Sequence, residues 1–448
     1  MTRDAFRLTA SEALAEMAAG RLTSVQLVQS CLDRIAETDQ AIGAWVHVDP
    51  EAALTRAEEC DRIRKAGLPI GSLHGVPVGL KDIIDTRDMP TRRGTPIFAD
   101  RAPEWDARIV ERLREAGAVI LGKTVTTELA FVHPSETRNP MDHGRSPGGS
   151  SSGSAAAVAA WQVPLALGTQ TNGSVIRPAS FCGTFGFKPT RGIVPRTGIL
   201  QTSVSLDQVG GFGRTLRDVA LLADALKGYD QRDPLSRGHP LPDMASGMAE
   251  DVPVPPELAW FDLPFYDRLS EAARDGLEGV VEILGKRVTK MTPARQLPAL
   301  VEVQAKIHEY EICHHLSEVF IEGWDQISDT LKPVVERGRA ITQLEYEDAL
   351  EVKKSAEQFF AEFFLEFDAI IAPSAAGEAP KLGGGTGDPI FCTLWTLAGL
   401  PCVTLPLLVG ENDLPIGVQL IGPLERDGRL LRTARWLQET LSAEAEAA

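Results

Sequence analysis

Apolar positions in the N-terminal stretch recur at intervals of three and four residues, a helical period that predicts amphipathic helices over 11–19, 24–37 and 51–65. From about 70 to 225 the pattern changes to short apolar runs of strand length alternating with helical stretches, as in an α/β layer. Residues 76–80 are one such run and read as a short buried strand. The segment 228–260 is rich in Pro, Asp and Gly and reads as a long connection, with Gln231-Arg232-Asp233-Pro234 as a turn. Long helices, charged on one face, are predicted over about 268–366. Strands resume at 369–373 and 403–406, and the tail at 443–446 is expected to fray. No internal repeat is evident.

Glycine and serine break this pattern most strongly at Ser146-Pro147-Gly148-Gly149-Ser150-Ser151-Ser152-Gly153-Ser154, which runs straight into the helix-forming Ala155-Ala156-Ala157-Val158-Ala159-Ala160-Trp161. Gly168-Thr169-Gln170-Thr171-Asn172-Gly173-Ser174 and Arg177-Pro178-Ala179-Ser180-Phe181-Cys182-Gly183 follow. Such runs are usually flexible linkers, but a linker needs neither the helix nor the second glycine cluster. Glycine opens positive φ and close approach to the main chain, so N–H groups can converge on one point. Converging donors beside a hydroxyl are the parts of an acyl-transfer site.

Rival readings of the same residues are weaker. Gly148 and Gly153 have P-loop spacing, but Ser154 stands where the lysine belongs, and no G-x-G-x-x-G opens a helix after a strand. Gly149-Ser150-Ser151-Ser152-Gly153 satisfies G-x-S-x-G, which would make Ser151 the nucleophile of an α/β-hydrolase esterase. That fold needs an acid and then a histidine downstream, usually near the C-terminus, whereas the last histidines, His308, His314 and His315, lie well before it. Gly383-Gly384-Gly385-Thr386-Gly387 reads as a mobile loop. Lys81 follows the apolar run 76–80, so its stem sits in apolar surroundings. Solvated, it would pair with Asp82 at the surface; buried, its amine pKa would fall and the side chain would become a base.

These motifs, with Leu22-Thr23-Ser24, Gly122-Lys123-Thr124, Thr137-Arg138-Asn139-Pro140, Gly186-Phe187-Lys188-Pro189-Thr190-Arg191-Gly192, Ser205-Leu206-Asp207-Gln208-Val209-Gly210, Ala398-Gly399-Leu400-Pro401 and Leu414-Pro415-Ile416-Gly417-Val418-Gln419-Leu420-Ile421-Gly422, cover most of the chain. In order and content they resemble the amidase signature family, serine hydrolases with a Ser-cisSer-Lys triad. The resemblance implies an α/β fold with a large mixed β-sheet flanked by helices. It makes Ser174 the nucleophile, Ser150 the bridging serine after a cis peptide, and Lys81 the base. The N–H groups of Thr171, Asn172, Gly173 and Ser174 would form the oxyanion hole. Gln170 replaces a usual aspartate, while Asn172 and Ser152 replace usual glycines. Arg177 stands three residues after the nucleophile rather than two, as in a malonamidase-type branch, where it would either bind substrate or support the loop. The implied organisation is an N-terminal helical segment (1–70), an amidase core with the catalytic motifs (71–227), a linker and helical substrate-side region (228–366) and the C-terminal part of the core (367–448).

The side chains account for the chemistry. Serine is a poor nucleophile at neutral pH and needs a base to take its proton. Neutral Lys81 can act through Ser150, whose hydroxyl accepts one proton and passes on another. Lowering a lysine pKa from about 10.4 to about 8 takes roughly 3 kcal/mol of differential environment. The expected activity is hydrolysis of a carboxylic amide, anilide, carbamate or urea-like bond. Alternatives are the glutaminase-like component of a tRNA amidotransferase, which would need partner proteins, and a catalytically silent binding protein, against which intact Lys81, Ser150 and Ser174 argue.

Composition fits a cytoplasmic enzyme. Sixty-two acidic against 45 basic residues give a net charge of −17, which argues against nucleic-acid or anionic-membrane partners. The first residues lack an apolar signal core, and no apolar run reaches membrane-spanning length. Six cysteines without a C-x-x-C are expected as reduced, packed thiols. Cys313-His314-His315 with His308 lacks paired metal-ligand spacing, so neither metal nor other cofactor is expected. The expected partner is a small-molecule amide or carbamate, and a homodimer is allowed.

Overall fold

The computed structural model describes residues 4–293 and 296–447. Among them, eleven strands form one mixed sheet: β1 (Trp45–Val48), β2 (Pro77–Lys81), β3 (Val119–Thr124), β4 (Leu165–Gln170), β5 (Phe185–Lys188), β6 (Gln208–Gly213), β7 (Leu258–Phe261), β8 (Val288–Met291), β9 (Ala369–Pro373), β10 (Cys402–Val409) and β11 (Pro415–Ile421). Their spatial order is β1-β3-β2-β4-β6-β5-β10-β11-β9-β7-β8. Helices flank the sheet, and the apolar residues between form one large core, so the expected α/β architecture is present.

The N-terminal helices form where the period places them, with boundaries set by capping. Thr9 with Glu12 and Thr23 with Gln26 make capping boxes that open Ala10–Ala18 and Ser24–Ile42. The second helix runs beyond the expected 37 and stops at Gly43, whose φ of 66° suits a glycine C-cap. β2, β3 and β4 are buried along their whole length, which is why the residues of β2 before Lys81 read as a continuous apolar run rather than an alternating one.

β2 lies between β3 and β4 and is parallel to both. Its register pairs Leu80 with Leu167, so Lys81 comes level with the C-terminal end of β4. Side chains at the carboxyl ends of neighbouring parallel strands converge there. The observed β2 begins one residue later than the expected run and takes in Lys81 itself.

Two strands depart from the expected pattern. β7 falls at the end of the proline-rich connection, and β8 interrupts the stretch expected to hold long helices. They pair in parallel across the helix Glu271–Leu284 and extend the sheet past β9. Each is four residues long, too short for periodicity to distinguish from flanking loop or helix. The tail expected to fray continues the helix Asp427–Ala447, where alanine and glutamate favour helix.

Candidate active site

Lys81, Lys123 and Lys188 are all completely buried, but their surroundings differ. Lys123 Nζ donates to the Ile84 carbonyl at 2.5 Å and to Thr91 Oγ1 at 2.6 Å. Lys188 Nζ donates to the carbonyls of Leu400 at 2.6 Å and Pro189 at 3.2 Å, and to the Gln208 side chain. Lys81 Nζ meets two hydroxyls, Ser150 Oγ at 2.7 Å and Thr169 Oγ1 at 2.9 Å. Burial pulls Lys123 and Lys188 down to about 8 and Lys81 further, from 10.5 to about 7, against the opposing charge of Asp207. Lys81 is therefore a buried amine held by hydroxyls rather than half of a surface ion pair. Asp82 instead accepts from the Arg92 N–H, and burial raises its carboxyl to about 6.

Ser150 sits just before the helix Ser152–Ala159, and the Gly149–Ser150 peptide is cis. Its carbonyl accepts from the Thr127 N–H at 3.1 Å. Gly148 has φ +83°, and a Cβ there would come within 2.9 Å of the Phe181 ring, so glycine alone fits. Ser151, the G-x-S-x-G serine, is fully buried, and its Oγ lies 3.3 Å from both the N–H and the carbonyl of Thr169. It fastens the helix to β4 and does not line the cavity described below.

Beyond β4 the chain turns through Thr171, Asn172, Gly173 and Ser174. No acceptor among the described residues takes the backbone N–H of any of these four. The turn is braced from behind. Gln170 Oε1 accepts from the N–H groups of Val175 at 2.8 Å and Ile176 at 3.0 Å, while its Nε2 donates to Thr396 Oγ1 at 2.9 Å. Thr396 Oγ1 in turn donates to the Asn172 carbonyl at 2.5 Å. Glutamine thus supplies the acceptor that an aspartate would, plus a donor that an aspartate lacks. Thr171 Oγ1 donates to the buried Asp207 carboxylate at 2.5 Å.

Half-buried Ser174 lines a cavity of about 220 Å³, shared with Asn172, Arg177, Phe131, His308 and Thr386. Arg177, buried on the helix Ile176–Cys182, donates from Nη2 to the Gly149 carbonyl at 2.7 Å and to Thr386 Oγ1 at 3.3 Å. Its Nε and Nη1 are buried without a hydrogen-bond partner among the described residues. Burial lowers its pKa to about 10, so it stays charged at neutral pH. His308 is pushed down to about 3 by burial and is neutral there, its ring 4.5 Å from that of Phe131.

Sequence reasoning misses several of these residues. Thr169 lies inside a motif but carries no sign of touching Lys81. Gln304 and His308 come from the helix Leu300–His315, where nothing in the local pattern separates them from core positions. The glycine-rich loop 383–387 reads only as mobile, yet its Thr386 and Gly387 line the cavity, Gly387 packing against Phe181 and Arg177. Cys313 Sγ donates to the Val335 carbonyl, and His314 Nδ1 lies 2.8 Å from the Tyr310 carbonyl. All six cysteines are buried and unpaired as disulfides. A larger cavity of about 290 Å³, with Trp260, Asp262 and Tyr266 in its lining, contains none of the motif residues.

The amidase family model matches residues 26–431. The chain is similar to the A subunit of the glutamyl-tRNA(Gln) amidotransferase of Chloroflexus aggregans, 36% identical over 465 residues, covering 95% of this chain and 94% of that protein. Among solved structures it is similar to a chain of a vestigial protein complex that reveals the evolutionary origins of an s-triazine catabolic enzyme, with a TM-score of 0.91 and 29% identity over 97% of this chain and 98% of that one. It is also similar to the peptide amidase of Stenotrophomonas maltophilia, with a TM-score of 0.84 and 28% identity over 97% and 96% of the two chains. Among the described residues, no helix is long and apolar enough to cross a membrane.

Proposed function

The chain belongs to the amidase family of C–N hydrolases, and on that premise we propose that it hydrolyses a small carboxylic amide, or a related anilide, carbamate or urea-like bond, through an acyl-Ser174 intermediate. The observation that carries this reading is the completely buried Lys81, drawn down to about 7 and 2.7 Å from Ser150. A neutral amine has a lone pair, so this contact can run with Ser150 donating to Nζ while an N–H of Lys81 goes to Thr169.

In the proposed mechanism Ser174 Oγ attacks the carbonyl carbon and passes its proton to Ser150, whose own proton moves to Lys81. The N–H groups of Thr171, Asn172, Gly173 and Ser174, which have no acceptor among the described residues, stabilise the oxyanion. Collapse breaks the C–N bond as the relay returns a proton to the leaving amine. Water then cleaves the Ser174 ester by the same relay. Arg177, which lines the cavity and keeps two buried nitrogens without a partner among the described residues, binds a carboxylate or carbonyl of the substrate. Its bond to the Gly149 carbonyl supports the loop at the same time.

The test is covalent labelling with a fluorophosphonate, located by mass spectrometry, together with turnover of aliphatic amides, anilides, ureas and aryl carbamates. Labelling at Ser174 is the expected outcome, and labelling at Ser151 would revive the esterase alternative. The similarity to the A subunit of a glutamyl-tRNA(Gln) amidotransferase favours a second reading, in which this chain works with partner proteins. Glutamine-dependent transfer, or co-purification with a small partner protein, would support it over a stand-alone hydrolase.

A further inference from the structure

One wall of the Ser174 cavity has no part in the proton relay. Asn172 stands where the family resemblance leads to glycine, and its half-buried side chain lines the cavity. The amide is held at both ends, since Thr393 Oγ1 donates to its Oδ1 at 2.7 Å and its Nδ2 donates to Gln304 Oε1 at 3.1 Å. The direction of each bond follows from the backbone. The Thr171 carbonyl can only accept, so Gln304 turns Nε2 toward it at 3.1 Å and leaves Oε1 as acceptor for Asn172 Nδ2. Asn172 Oδ1 is then the atom left to receive the Thr393 hydroxyl. Gln304 and Thr393 are themselves buried, on the helices Leu300–His315 and Ile390–Leu397. Asn172 cannot swing aside without breaking both hydrogen bonds in a place where little water can replace them.

Lys81 and Ser150 do not line this cavity. A leaving amine must meet Ser150 to gain its proton, so the cavity receives the acyl portion of the substrate. We infer that Asn172, locked by Gln304 and Thr393, is a specificity-determining residue that limits acyl-chain length and restricts the enzyme to amides of short acids. This inference rests on the acyl-Ser174 reading.

It is tested with p-nitrophenyl esters of acetic, butyric, hexanoic and octanoic acids, which vary the acyl chain at a constant leaving group. Acylation rates are read from the p-nitrophenol burst, and the acyl group is located by mass spectrometry. Wild-type acylation should fall steeply beyond butyrate. Because one methylene in a pocket is worth about 10–200-fold, Asn172→Ala should raise the octanoate-to-acetate ratio at least about tenfold. Thr393→Val, which frees one end of the amide, should raise it less but in the same direction. A wild-type enzyme that accepts octanoate as readily as acetate, or a ratio unchanged in Asn172→Ala with the acyl group still on Ser174, overturns the inference alone. Acyl transfer to another residue overturns the acyl-Ser174 reading beneath it.

Discussion

Replacing Lys81 by methionine, similar in length but uncharged, separates the neutral-base mechanism from a merely structural lysine. A drop from 10.5 to about 7 means that the buried site disfavours the cation by about 5 kcal/mol. The unfolded chain keeps the proton up to pH 10.5, whereas the folded chain gives it up above about 7. Between those values the unfolded state binds more protons, so wild-type stability rises with pH by up to about 1.4 kcal/mol per unit. Below pH 7 both states are protonated and the full cost of burying the cation is felt. Methionine has no such proton. Urea unfolding at several pH values should therefore show the wild type gaining on Lys81→Met by about 1.4 kcal/mol per unit from just above pH 7 toward pH 10. In parallel, wild-type kcat/KM should climb with pH and level off above about 7. Lys81→Met and Lys81→Arg should each lose about 10²–10⁴-fold, arginine because it remains protonated. A stability gap that does not change with pH, or an active Lys81→Arg enzyme, would refute the reasoning.

Ser174→Ala should abolish acyl-enzyme formation by mass spectrometry while changing unfolding free energy by less than about 0.5 kcal/mol, since only a half-buried hydroxyl is lost. Arg177→Gln should lose about 10–100-fold in kcat/KM on carboxylate-bearing amides and largely spare neutral ones, given a charge-assisted pair of about 1.5–3 kcal/mol. Equal losses on both classes with a lower Tm would assign Arg177 to the Gly149 carbonyl alone. The Arg196–Asp233 pair is almost fully buried at 2.8 Å, so Asp233→Ala should cost about 3–5 kcal/mol by leaving the guanidinium uncompensated; a cost near zero in urea unfolding would show that the pair is solvated.

What the sequence determined by itself was local. The helical period and the Thr-x-x-Glu and Thr-x-x-Gln caps specified the N-terminal helices, because capping and amphipathicity act within a turn or two of chain. Apolar runs identified β2 and β9, because strands covered on both faces have no polar side to show. Glycine at 148 and the two serine motifs marked a place where the backbone could turn donors toward a hydroxyl. Four-residue strands such as β7 and β8 were not legible, since their pairing energy comes from neighbours far away in the chain. The charge state of Lys81 was likewise open, with Asp82 adjacent in sequence and Ser150 and Thr169 remote. Only the tertiary structure supplies the burial that draws its pKa down to about 7 and the hydroxyls that surround the amine. The cavity wall has the same origin: Asn172, Gln304 and Thr386 come from three separated segments, and no pattern along the chain reports on side chains that meet only after the core has packed.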